Sequence, residues 1–145
     1  MIWSLILAWA FAVAVFDIRQ RRIPNVLLVA LAVPAVLALA VNRQGLLGAG
    51  IQDSLLGLLL GAAPLLAGYL MRQVGAGDVK LSGLQGLVLG VDGAGKALLV
   101  SGIVLGLMSA LALLEKTTEK PRARLPAGVA LVVGFVSVVL AVQLL

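Results

Sequence analysis

MIWSLILAWAFAVAVFDIRQRR, residues Met1–Arg22, runs through sixteen uncharged positions, then one acid, Asp17, then arginines at 19, 21 and 22. A run this apolar reads as a membrane helix or as a signal peptide. Signal peptides carry their positive charge ahead of the apolar run, whereas here the basic residues follow it. The segment is therefore expected to stay as a first span, with its N-terminus outside and its arginines in the cytoplasm. Five further apolar stretches follow: Ile23–Val41, Ser54–Met71, Leu81–Val91, Ala97–Leu114 and Leu125–Leu145. Backbone in lipid has to satisfy its own hydrogen bonds, and a barrel needs alternating polar residues that this sequence lacks. The expected fold is all-α: a polytopic membrane bundle of six transmembrane helices with both termini outside, forming one domain over residues 1–145.

Composition supports this reading. Of 145 residues, 62% are hydrophobic and 12% charged, about half the ~25% charge of a soluble domain. At ~20 residues per span, six helices use up the chain. The eleven basic residues divide unevenly. Nine (Arg19, Arg21, Arg22, Arg72, Lys80, Lys116, Lys120, Arg122 and Arg124) fall in the first, third and fifth connections, against Arg43 and Lys96 in the second and fourth. That bias places the odd connections in the cytoplasm. It also accounts for the net charge of +5 without nucleic acid as a partner; lipid headgroups are the expected contact. The hydrophilic stretch Glu115–Arg124 reads as a solvated turn.

Two sequence features have structural readings. Gly57 and Gly61, Gly86 and Gly90, and Gly102 and Gly106 form small-xxx-small pairs suited to close helix packing. Gly90-Val91-Asp92-Gly93-Ala94-Gly95-Lys96-Ala97 comes near a phosphate-binding loop. Ala97, however, stands where a Ser or Thr hydroxyl is required, and no strand precedes it. The segment reads as an external turn.

The chain has no His and no Cys, which removes Cys/His metal sites, Ser-His-Asp triads and Cys nucleophiles. No cofactor or metal is expected, so acid–base chemistry falls to six carboxylates. Asp53 and Asp92 lie in external connections, Asp53 at the start of a span where a carboxylate is favoured. Glu115 and Glu119 alternate with lysines. Asp17 and Asp78 differ, because each stands at the cytoplasmic end of an apolar span. A carboxylate held in lipid costs roughly 2.5–3.5 kcal/mol, which makes such residues functional candidates. Leu81–Val91 rises only ~16 Å at 1.5 Å per residue, about half of a ~30 Å hydrocarbon core, so Asp78 sits close to lipid depth. Gly75 and Gly77, just ahead of Asp78, leave room for an extended peptide to approach.

These residues resemble a known family. Asp17-Ile18-Arg19-Gln20-Arg21-Arg22-Ile23-Pro24-Asn25 resembles the first-aspartate segment of the type IV prepilin peptidases. Gly75-Ala76-Gly77-Asp78-Val79-Lys80-Leu81 resembles their GxGD motif with its trailing lysine, and Leu125-Pro126-Ala127-Gly128 resembles the entrance to their last span. The resemblance covers essentially the whole chain and implies an intramembrane aspartic endopeptidase of the inner membrane. Such an enzyme removes the basic leader from prepilins or pseudopilins at the cytoplasmic face, alongside pilus or secretion assembly machinery. It assigns the catalytic pair to Asp17 and Asp78, and motif or substrate-binding positions to Gly75, Gly77, Lys80, Pro24, Asn25, Pro126 and Gly128. The first connection has no room for the inserted, often Cys-bearing domain of longer members, so N-methylation is not implied. The compact form resembles the peptidases serving Flp pili. The presenilin type fits less well, since Phe16 precedes Asp17 where those proteins place a Tyr. The rival reading is a small transporter or channel in which Asp17 and Asp78 bind an ion or a proton. It calls for polar groups across the bundle, where the span interiors offer little beyond Ser82, Gln85, Ser101 and Ser109.

Overall fold

A computed structural model describes residues 2–20, 23–114 and 127–144, with residues 112–114 as backbone only. The chain is all-helical among these residues: α1 (Ile2–Gln20), α2 (Asn25–Asn42), α3 (Ile51–Leu70), α4 (Ala76–Leu114) and α5 (Ala127–Leu144). All five helices are long and apolar enough to cross a membrane. They are apolar around their whole circumference, as lipid-embedded helices are. Large side chains such as Phe11, Val26, Leu59, Leu99 and Leu107 lie exposed on the outside. Pro34 and Pro64 sit inside α2 and α3 without ending them, a tolerance usual for membrane helices.

Two of the expected stretches form the single 39-residue run of α4, which is broken at Gly90 (φ 75°, ψ −178°). On the first arm, Gly86 lies against Gly57, and Ser82 against Gly61. On the second arm, Val91 bonds to Asp53, and Gly95 faces Leu60. Numbering thus descends along α3 on one arm and ascends on the other, so the chain doubles back at Gly90. The expected turn at 90–97 is corrected: Val91–Ala97 is helical, and Asp92 and Lys96 form an exposed i,i+4 ion pair at 2.6 Å. A carboxylate explains why so tight a reversal holds. Asp53 Oδ1 accepts the backbone N–H of Val91 at 3.0 Å, capping a helix start that would otherwise leave its donors free. The space beside Gly90 that a side chain would need is filled by the Asp53 carboxylate.

α3 and the first arm approach until their backbones touch. A methyl group on Gly57 or Gly86 would meet the partner's backbone, and Ser82 Oγ donates to Gly61 O at 2.7 Å across the same seam. Gly102 and Gly106 depart from the expected packing role, since among the described residues neither has a neighbour within 4 Å of the position a Cβ would take.

The core gathers Ile6, Ala10 and Val13 of α1, Leu28 and Leu31 of α2, Leu81 and Val88 of α4, and Leu131, Phe135 and Val139 of α5. α5 is the most buried of the five helices. Trp9 ties three helices together: its ring meets Phe135 edge-on at 6.1 Å, and its Nε1 donates to Leu27 O at 2.6 Å.

Candidate active site

The C-terminal end of α1 and the N-terminal ends of α2, α4 and α5 meet at one end of the bundle. α1 runs past Phe16, where the apolar stretch stops, to Gln20. Asp17 is therefore a helical residue facing inward, at 5% exposure, while Phe16 and Ile18 point outward. Its Oδ2 accepts the backbone N–H of Val129 at 3.0 Å. Val129 is in the first turn of α5, where backbone donors have no intrahelical acceptor. The positive end of α5 thus receives the Asp17 carboxylate. The fit leaves no slack: a methyl group built on Gly128 would lie 2.7 Å from both Cγ and Oδ2 of Asp17. Only glycine gives α5 this approach.

Asp78 reaches the site from the first turn of α4. The preceding connection is shaped by a stop to α3 in which Gln73 N–H bonds to Gly68 O and Arg72 N–H to Tyr69 O, both at 2.9 Å. These are the paired bonds of a Schellman motif, with Arg72 in the left-handed position (φ 59°) that glycine usually takes. Gly75 O then accepts the N–H of Asp78 at 3.1 Å, opening α4. The half-buried Asp78 carboxylate is at its own helix's N-terminus, again where negative charge is favoured. A Cβ on Gly75 would come within 3.4 Å of Asp78 Oδ2, and one on Gly77 within 3.5 Å of Ile23. Ile23 directly follows the α1–α2 connection, so this contact places the start of α4 at the end of the bundle where Asp17 stands.

The remaining motif residues border this end. Pro24, with extended backbone (ψ 134°), precedes α2, and its carbonyl accepts Leu27 N–H at 3.1 Å. Asn25, exposed, is the first residue of α2. Lys80 is exposed, and among the described residues no carboxylate lies within ion-pair distance of it. Pro126, Arg21, Arg22 and the Glu115–Arg124 connection lie outside the described residues. No group of three or more Asp or Glu among the described residues is placed to hold a metal ion.

A family model described as the type IV leader peptidase family matches residues 4–142. The chain belongs to that family. Among curated proteins and solved structures, none matches it. Membership in the leader peptidases implies a peptidase acting on prepilin-type peptides, and it agrees with a multi-pass membrane protein. The Val129 N–H of this leader peptidase has no sequence signal. It is the backbone of an apolar residue, and only the placement of α5 aims it at Asp17.

Proposed function

We propose that this leader peptidase is an intramembrane aspartic endopeptidase in which Asp17 and Asp78 form the catalytic pair. It removes basic leaders from prepilins, most closely of the Flp type, at the cytoplasmic face of the inner membrane. The placement of Asp17 and Asp78 at one end of the bundle carries the reading, because the other described acids, Asp53 and Asp92, are exposed and engaged elsewhere. One carboxylate takes a proton from water as the water oxygen attacks the scissile carbonyl. The other, protonated, hydrogen-bonds to the carbonyl oxygen. Collapse of the tetrahedral adduct breaks the C–N bond, and the departing amine takes up a proton from the pair. The two acids share one proton between them and titrate as a unit.

The reversal at Gly90 supports six membrane passes, since the two arms of α4 run in opposite directions beside α3. With six passes the termini share a side. The concentration of Arg and Lys at the acid end favours the cytoplasm for that end and the outside for the termini. Gly128 acts as the clearance that admits the Asp17 carboxylate, Gly75 and Gly77 as the slender approach to Asp78, Pro24 and Asn25 as the border at α2, and Lys80 as an interfacial cation.

Co-expression with a precursor tests the assignment. Asp17→Asn and Asp78→Asn each abolish the gel shift of leader removal while the protein remains in the membrane. The double variant is no worse than either single one, as expected of residues that act together. Substantial processing by either single variant removes that acid from the pair.

A further inference from the structure

We propose that the groove between α3, the second arm of α4 and α5 receives the apolar helix that follows the scissile bond of the substrate; this rests on the leader-peptidase reading above. The groove encloses about 550 Å³ and is walled by Pro64 and Leu65 of α3, Leu99, Gly102 and Leu105 of α4, and Ala130 of α5. That volume is in the range of ligand-sized clefts. Val74 and Ala127 also line it. Val74 directly precedes Gly75 of the Asp78 segment, and Ala127 directly precedes Gly128, against which Asp17 packs. On two of its walls the groove thus ends one residue short of the glycines that stand beside the acids.

Its chemistry selects one part of a prepilin. Among the described residues none that lines the groove is charged, so these walls offer a basic leader no counter-ion, and an apolar segment leaves no polar group stranded against them. In lipid, burial of apolar surface gives little drive, and helices associate where small residues admit close backbone approach. Gly102 meets that need: among the described residues no neighbour lies within 4 Å of where its Cβ would stand, and Leu99, one turn away, is 71% exposed. The lining from Gly95 to Leu105 rises ~15 Å at 1.5 Å per residue, about half of a ~30 Å core. A substrate helix seated there runs from mid-membrane toward the acids and brings its N-terminal end, where the leader joins, to the pair.

The chain has no cysteine, so single cysteines report contact cleanly. Gly102→Cys, in the Asp78→Asn background to hold the precursor uncut, is paired with precursors carrying one cysteine at successive positions after the scissile bond. Disulfides are expected at positions three to four residues apart, and none from Val36→Cys on the exposed face of α2. In the active protein, Gly102→Leu adds a side chain to open space and favours the helix. Its kcat/KM for the full precursor is expected to fall at least tenfold further than for a peptide lacking the apolar segment. Equal loss on both substrates, equal cross-linking from Val36→Cys, or a disulfide between two copies at Gly102→Cys in place of one to the precursor overturns the proposal. Cross-linking to a precursor that wild type does not cut would sink the peptidase reading and leave the docking groove standing.

Discussion

Val129 donates its backbone N–H to Asp17 at 3.0 Å, joining the last described helix to the first across 112 positions of sequence. The bond exists because Gly128 lets α5 come against the carboxylate, and that clearance makes a sharp prediction. Gly128→Ala forces Asp17 or the start of α5 to shift. Displacements of about 1 Å near reacting groups cost roughly 100-fold in rate. Gly50→Ala, at the other end of the bundle with extended backbone (φ −64°, ψ 163°) and no described atom within 4 Å of the Cβ position, is expected to leave cleavage near wild type. Turnover of the two purified variants on the same precursor makes the comparison. Near-normal activity in Gly128→Ala would show that the approach of α5 is not required.

The α3–α4 seam is expected to fail differently. At Gly86 a methyl group meets backbone, which cannot rotate aside as a side chain can. Gly86→Leu should therefore reduce the yield of folded protein in the membrane severely, rather than lower kcat in a well-folded population. A monodisperse, stable Gly86→Leu protein by size-exclusion chromatography would contradict the close packing.

Asp53 separates stability from chemistry. Loss of a capping carboxylate typically costs about 0.5–2 kcal/mol. Asp53→Ala is expected to lower the unfolding midpoint in mild detergent, with cleavage per folded molecule unchanged. Asp53→Ser, which keeps an acceptor oxygen, should recover part of the loss. Gly90→Ala should be worse than either, since it combines a positive φ with a clash against Asp53. An unchanged midpoint in Asp53→Ala would remove the cap from any role in the reversal.

Lys80 is exposed and forms no ion pair among the described residues, so its prediction is conservative. Lys80→Arg should retain near-normal cleavage, because either cation reaches the headgroup region from this exposed position. A large drop in kcat, with membrane yield unchanged, would place the ammonium in contact with the reacting groups instead.

How far the sequence led can be seen residue by residue. The helical, membrane-embedded character was legible because every long stretch is apolar, and lipid permits few alternatives. Asp17 and Asp78 stood out because charge at the end of an apolar span is costly. The length of α1 was not legible. Asp17, Arg19 and Gln20 end the apolar run without ending the helix, since charge is tolerated in a last helical turn that reaches the interface. The segment at 90–97 misled for a related reason. Three glycines in six residues suggest a turn, yet one positive φ at Gly90, held by Asp53 from another helix, completes the reversal and leaves Val91 onward free to be helical. Gly102 and Gly106 carry the same spacing as Gly57 and Gly61, and spacing alone does not say which faces have partners. The donor to Asp17 was invisible altogether, because a backbone N–H acquires meaning only from where its helix ends up.

The tie between Asp17 and Val129 also bears on the order of synthesis. A ribosome delivers α1 to the membrane long before residues 127–144 exist, so the first acid waits without its donor while the middle helices insert. Under the proposed mechanism, a nascent or truncated chain therefore holds both carboxylates but lacks the element that orients one of them. On that mechanism, cutting competence arrives with α5, and fragments that stop short of it are expected to be inert toward the precursors around them.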